Sequence, residues 1–161
     1  LSKLYVPKLE EIGYGSLTSN RNLIELDLPN VRIIKFNFLV DNKDLAQFNA
    51  PKLEKIGDRV MCNNQNLTEL ILPSLQEVGN GFLSENKKLK TFRAPKLKTI
   101  GGKFLASNTE LTDFVVENKD MFHKHNSNRL ILARNKLKQK LKDIFSKKLN
   151  TLTHNQTLKQ N

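Results

Sequence analysis

Few side chains in this sequence could carry out chemistry, and their spacing argues against a catalytic or metal site. His123 and His125 are two residues apart and would point in different directions on a helix, and His154 lies near the end of the chain. A metal ion would therefore lack convergent ligands. Cys62 is the single cysteine, which excludes an internal disulfide and a cysteine zinc site. By its place in the pattern described below, it is a small, partly buried side chain.

The carboxylates and the sequence motifs lead to the same conclusion. Glu25 and Asp27 share one face of a predicted strand, but a flat exposed surface lacks the cleft in which catalytic carboxylates are tuned. The sequence contains no Gly-rich phosphate loop, nucleophile elbow or HExxH motif. We therefore expect no enzyme activity, no cofactor and no metal in this segment. A catalytic domain elsewhere in a longer parent protein is left open.

A repeat of 22 residues must position any functional surface. Three columns of identical residues keep this step along the chain. They are Leu1, Leu23, Leu45, Leu67, Leu89 and Leu111; Pro7, Pro29, Pro51, Pro73 and Pro95; and Asn20, Asn42, Asn64, Asn86 and Asn108. Strict periodicity at this length is typical of a leucine-rich solenoid, in which each repeat forms one rung.

Each unit reads LxxLx[LA]PxLxxIGxx[FV][LM]xxNxx. The opening residues alternate with period two, so they predict a short strand whose fourth and sixth residues point inward. Proline ends the strand. Gly13, Gly57, Gly79 and Gly101 suit a corner with positive φ, and Lys35 takes that place in the second unit. The Phe-Leu stretch predicts one turn of 3₁₀ or α-helix, and the buried asparagines predict a hydrogen-bonded ladder between rungs.

The repeat unit resembles the BspA-like class of bacterial and protist leucine-rich repeats, whose usual unit runs LxxIxIPxxVxxIGxxAFxxCxxL. The likeness covers residues 1–116. This chain departs in being one residue shorter per unit, in Phe-Leu for Ala-Phe, and in Asn for Cys. The resemblance implies a curved solenoid with parallel strands on one face. It also implies a secreted, cell-surface or host-delivered bacterial protein that binds other proteins or host material.

The sequence thus predicts an α+β solenoid: a right-handed leucine-rich-repeat superhelix with parallel strands on one face, short 3₁₀ or α turns on the other, and a C-terminal capping helix. The predicted domains are repeats over 1–116, a basic helical cap over 117–149 and a flexible tail over 150–161. Of the net charge of +11, residues 1–116 carry +3 and residues 117–161 carry +8. Any argument from positive charge therefore concerns the C-terminal part alone.

That C-terminal part predicts an amphipathic helix. Residues 126–128 offer N-cap oxygens, and an apolar stripe follows at helical spacing: Leu130, Ala133, Leu137, Leu141, Ile144 and Phe145. The stripe packs on the solenoid, or in the groove of a partner or of a second copy, or the basic helix docks on anionic membrane or nucleic acid. Nucleic acid is disfavoured because the helix lacks interleaved aromatic residues for base stacking.

The predicted function is a non-catalytic protein-interaction module. Its binding surface is the outward face of the opening strands, since exposed strand positions carry variation while inward ones hold the core. The candidate partner-binding residues are Tyr5, Glu25, Asp27, Gln47, Asn49, Glu69, Ile71, Arg93 and Asp113. Two alternatives stay open: an electrostatic anchor in which the repeats only support the basic helix, and self-association through the uncapped first rung or that helix.

Overall fold

The computed structural model describes residues 2–118, 120–124, 137 and 139–148. In that part of the chain, eleven short β-strands precede a 3₁₀ helix at Asp120–Lys124 and an α-helix, α1, at 139–148, with residue 137 also helical. The strands are β1 (Lys3–Tyr5), β2 (Glu11–Ile12), β3 (Glu25–Asp27), β4 (Ile33–Ile34), β5 (Gln47–Asn49), β6 (Lys55–Ile56), β7 (Glu69–Ile71), β8 (Glu77–Val78), β9 (Thr91–Arg93), β10 (Thr99–Ile100) and β11 (Asp113–Val115). Predictions for Leu1, residues 126–128, Leu130, Ala133, His125, His154 and the tail 150–161 lie outside the described residues.

All paired strands are parallel. Each of the first five rungs adds one strand to each of two faces, and the sixth rung adds β11 to one face. The odd-numbered strands form one face as two three-stranded sheets, β1-β3-β5 and β7-β9-β11. The even-numbered strands form a second face, a five-stranded sheet from β2 to β10. The register places each residue opposite the one 22 positions on, as for Leu4 and Leu26. The 22-residue rung and the parallel solenoid are confirmed.

The third face of each rung consists of turns whose type differs from the prediction. Residues 13–118 are all described and contain no 3₁₀ or α-helix. Instead the backbone alternates through left-handed positions, with φ of 52–56° at Leu17, Leu39, Met61, Leu83 and Leu105. The physical reason is that these peptide groups bond to neighbouring rungs, as in Gly15 N–H to Phe36 C=O at 2.9 Å and Ser19 N–H to Val40 C=O at 2.8 Å. Bonds of a helix would stay within the rung.

The core lies between the three faces and follows the repeat. The inward strand residues of the second to fifth rungs are buried, including the large-small pairs Phe48 with Ala50 and Phe92 with Ala94. The third face contributes a second buried column of Phe38, Val60, Phe82 and Phe104. Close packing of these layers explains why a large residue on one side is matched by a small one beside it.

The recurrent asparagine forms the predicted ladder. Asn42, Asn64 and Asn86 are fully buried. The Oδ1 atom of Asn86 accepts from the backbone N–H of Asn64 at 3.0 Å, and its Nδ2 atom donates to the carbonyl of Met61 at 2.7 Å. These hydrogen bonds join neighbouring rungs and give partners to peptide groups of the third face that would otherwise be buried and unpaired.

The glycines after the Ile or Val of each unit have a different role from the one predicted. Gly57, Gly79 and Gly101 do not have positive φ. A Cβ atom at Gly57 would lie 2.6 Å from the carbonyl oxygen of Lys35, so the close approach of consecutive rungs requires glycine. Lys35 itself keeps the normal corner, since its N–H bonds to Ile12 C=O at 2.9 Å.

The 3₁₀ helix closes the C-terminal end of the core. Met121 and Phe122 are buried there, as predicted, and the Phe122 ring lies 5.6 Å from that of Phe114. In contrast, the described apolar residues of the C-terminal helical segment are exposed by 46–69%: Leu137, Leu141, Ile144 and Phe145. A cleft of about 410 Å³ lies between Thr112 of the last rung and α1, where it is lined by Gln139, Leu141, Lys142, Phe145 and Ser146. The helix is confirmed, but the tight packing of these four side chains on the solenoid is not found.

Candidate functional site

The odd-numbered strands bring all nine predicted partner-binding residues onto one surface, which we call the strand face. It consists of the outward residues of these strands: Lys3, Tyr5, Glu25, Asp27, Gln47, Asn49, Glu69, Ile71, Thr91, Arg93, Asp113 and Val115. Side chains one and three of each strand point outward because the middle one enters the core. The placement agrees with the alternation in the sequence, and the binding role of these residues stays a prediction.

Contacts between neighbouring strands hold the side chains at both ends of the strand face. Lys3 Nζ lies 2.7 Å from Glu25 Oε2, and Arg93 donates to Asp113 Oδ2 from Nε at 3.0 Å. The amide of Asn49 donates to Asp27 Oδ1 at 2.7 Å. Exposed ion pairs contribute little stability. Their effect here is to orient the side chains and to neutralise most of the charge.

The centre of the strand face is different, because its side chains have no such contacts. Gln47, Glu69 and Ile71 have no side-chain hydrogen bond or ion pair in the described part of the chain, and Ile71 is 46% exposed. Ile71 lies beside Arg93, and Val115 lies on the other side of that arginine. A partner would meet here an unpaired carboxylate next to exposed apolar surface.

The backbone of the strand face is also interrupted at its centre. Elsewhere a carbonyl before each strand accepts two N–H groups of the next rung; Ile24 C=O accepts from Ala46 at 2.9 Å and from Gln47 at 3.1 Å. Between β5 and β7, both fully described, the equivalent bonds from Thr68 and Glu69 to Ala46 C=O are missing, and no strand pairing is formed. The break leaves peptide groups unpaired on an otherwise regular ladder.

A cleft of about 480 Å³ opens at this break. It is lined by Ala46, Gln47, Phe48, Asn49, Thr68, Glu69 and Ile71. Phe48 is 8% exposed, the highest value in the buried core, and is the one core aromatic at this strand position without a ring partner among the described residues. We name these residues the central cleft.

Sequence reasoning missed Ala46, Phe48 and Thr68 as members of this site. One signal was present: in this rung the large side chain is on the strand, Phe48, and the small one, Val60, is where neighbouring rungs have Phe38 and Phe82. Because of this reversal, the large side chain of this rung does not lie next to a large side chain at the same position of the neighbouring rungs. The hydrogen bonds between β5 and β7 are missing at the same place.

The candidate chemical groups lie away from the central cleft. Cys62 is on the third face, where its thiol donates to the carbonyl of Gly81 at 3.0 Å and burial raises the pKa of the thiol. In the described residues no group of three or more His, Cys, Asp or Glu side chains could hold a metal ion.

A second exposed apolar surface lies at the N-terminal end. The rings of Tyr14 and Phe36 stack 5.4 Å apart, and Tyr14 is 70% exposed. Leu9 of the first rung is also exposed, at 37%. The self-association that the sequence suggested concerned the uncapped first rung itself and stays a prediction.

Comparison with known proteins gives one match. The family model for the BspA type leucine rich repeat region matches residues 10–129, in six copies. No curated protein and no solved structure matches the chain.

Proposed function

Because the chain belongs to the family of BspA type leucine-rich repeats, we propose that it is a non-catalytic interaction module that binds a protein partner on its strand face. Repeat families of this kind generally serve as scaffolds for protein interaction. We extend the proposal to a secreted, cell-surface or host-delivered bacterial protein, following the resemblance of the repeat unit.

The observation that carries the proposal is the central cleft. Recognition by proteins typically combines a few exposed apolar or aromatic groups with polar groups that need partners. Ile71 supplies the apolar group, the Glu69 carboxylate supplies a charge without a partner, and the break between β5 and β7 supplies unpaired peptide groups. The two ends of the strand face, with their internal ion pairs, offer less to a partner because those contacts would have to be exchanged.

The test compares arginine substitutions at two isoleucines that lie on different faces of the solenoid. Ile71→Arg places a charge at the central cleft, whereas Ile33→Arg places one on β4 of the second face, where Ile33 is 36% exposed. Proteins captured by the immobilised chain at high salt are identified by mass spectrometry, and each is then titrated against both variants. We expect the captured partner to lose affinity for the Ile71 variant alone. Equal binding by the Ile71 variant, or equal loss with both variants, would contradict the assignment.

A further inference from the structure

The C-terminal helix α1 carries an exposed apolar stripe that the repeats do not explain. Leu137, Leu141, Ile144 and Phe145 are 60%, 46%, 59% and 69% exposed. Leaving four large apolar side chains in water is unfavourable, and a contiguous surface of this kind marks an interaction site. The cleft next to Thr112 is lined by Gln139, Lys142 and Ser146 as well as by Leu141 and Phe145, and Leu141 and Phe145 stay exposed beside it.

The charged residues of α1 have a definite arrangement around this stripe. At 100° per residue, the four apolar positions fall within an arc of about 100°. Lys140 and Lys147 border one edge of the arc and Lys142 borders the other, whereas Lys148 falls inside the arc at its C-terminal end; all four are exposed. The opposite side of the helix carries Gln139, Asp143 and Ser146, where the Gln139 amide donates to Asp143 at 2.9 Å. Three of the four described lysines of α1 thus lie at the boundary between apolar and polar surface, Lys148 lies within the stripe, and Asp143 is the charged residue farthest from it.

We infer that α1 docks parallel to an anionic lipid bilayer, with its apolar stripe in the headgroup region. Lysines at the edges of the stripe can extend their aliphatic stems along the apolar surface and hold their ammonium groups at the level of lipid phosphates. Asp143 then faces water, away from the negative surface. No helix in the described residues is long and apolar enough to cross a membrane, so the helix lies at the surface.

Other occupants fit the arrangement less well. Nucleic acid would use the lysines but would leave the stripe in water, since its phosphate backbone offers no apolar surface. The strand face of a second copy has most of its acids already engaged, as in the Lys3–Glu25 and Arg93–Asp113 pairs. A bilayer satisfies the stripe and the lysines together.

The sequence allows a direct test because it contains no tryptophan. In the full chain, Phe145→Trp places a single fluorophore in the stripe, and Ser146→Trp places one on the opposite side as a matched control. Each protein is titrated with vesicles of phosphatidylcholine and with vesicles of phosphatidylcholine mixed with phosphatidylserine. We expect a blue shift and quenching by brominated lipid for the Phe145 variant with the anionic vesicles, and neither effect for the Ser146 variant. No shift at either position, or the same shift at both, would overturn the inference.

A second measurement separates charge from apolar contact. Each lysine near an anionic surface contributes a factor of about five in affinity, so Lys140→Gln with Lys142→Gln should weaken co-sedimentation with anionic vesicles about 30-fold. The matched control removes two exposed lysines of the solenoid, Lys43 and Lys96, and should leave binding nearly unchanged. Equal losses for the two double variants would overturn the inference. So would a Phe145→Ser variant that binds vesicles normally but unfolds at a lower temperature, because the stripe would then belong to the solenoid.

Discussion

Replacing Asn86 with alanine should destabilise the solenoid far more than the same change at Asn20, although both residues occupy the same position of the repeat. Asn86 is fully buried and bonds to the carbonyl of Met61, to that of Ser84 at 3.2 Å, and to the N–H of Asn64. Asn20 is exposed at the first rung, and its side chain makes no hydrogen bond in the described residues.

The magnitude follows from the groups that lose their partner. Ser84 C=O keeps a bond from the Asn63 N–H at 2.9 Å, so two buried groups, Met61 C=O and Asn64 N–H, are left unpaired. At about 1–3 kcal/mol for each unsatisfied buried group, Asn86→Ala should lower the free energy of unfolding by about 2–6 kcal/mol. Asn20→Ala should change it by less than about 0.5 kcal/mol, as is usual for exposed positions.

Equilibrium unfolding in urea, followed by far-ultraviolet circular dichroism, measures the difference as a shift in midpoint at constant slope. Asn86→Asp is the companion variant: it keeps the size of the side chain but loses the donor and buries a carboxylate, so it should be destabilised at least as strongly. A midpoint for Asn86→Ala equal to that of Asn20→Ala would refute the role of the ladder. A mild effect of Asn86→Asp would indicate that the lost volume, rather than the lost hydrogen bonds, is responsible.

Three further predictions follow from the structure. Gly79→Ala should lower the free energy of unfolding by at least about 1–3 kcal/mol, because a Cβ there would lie 2.6 Å from the carbonyl carbon of Gly57 in the preceding rung. Gly13→Ala is the control, because the added Cβ would have no atom within 4 Å. The same urea titration should show this variant to be nearly as stable as the original chain. The amides of Thr68 and Glu69 should exchange with deuterium faster than the equivalent amides of the other rungs in nuclear magnetic resonance spectra, since both lack a bond to the preceding rung. Cys62 should react more slowly with iodoacetamide at pH 8 in the folded chain than in urea, because burial raises the pKa of its thiol above the usual 9.0. The same raised pKa contributes stability that is present below about pH 9 and is lost as the pH rises through the folded value.

The controls for the exchange and thiol measurements lie within the same molecule. Lys90 and Thr91 occupy the positions of Thr68 and Glu69 one rung later, and both donate to Thr68 C=O, at 2.8 Å and 3.2 Å. Exchange as slow at Thr68 as at Lys90 would mean that the ladder is continuous in solution. Folded and unfolded chains that react with iodoacetamide at the same rate would show that the thiol of Cys62 is not protected.

Much of the site could be predicted because, in a strict repeat, the spacing of two residues in the sequence gives their relative position in the solenoid. A residue and its counterpart 22 positions on must be neighbours in adjacent rungs, so alternation within one strand fixed which of Glu69, Leu70 and Ile71 point outward. The ladder of asparagines was predictable for the same reason, since a polar column inside an apolar pattern must satisfy its own hydrogen bonds. The family followed from the same regularity, and its model matches six copies.

The departures from regularity were decided by tertiary structure. The periodicity of the sequence predicts the average rung, but the backbone conformation of the third face is set by hydrogen bonds between rungs. For this reason residues such as Leu39 and Met61 have left-handed φ angles where helical turns were predicted. The glycine column is required by the approach of the preceding rung, a distance that no single repeat contains. Likewise the central cleft depends on how Phe48 packs between two unlike neighbours.

The C-terminal helix shows the same division. Its amphipathic spacing was evident in the order of residues, because helical periodicity is a local property. Whether the stripe of Leu141, Ile144 and Phe145 is covered depends on surfaces distant in the sequence, and the solenoid leaves these side chains exposed. The sequence alone therefore determined the rung, the core and the outward face. Packing between rungs, which depends on the fit of unlike side chains across 22 residues, decided where that face opens and which apolar surface remains for a partner.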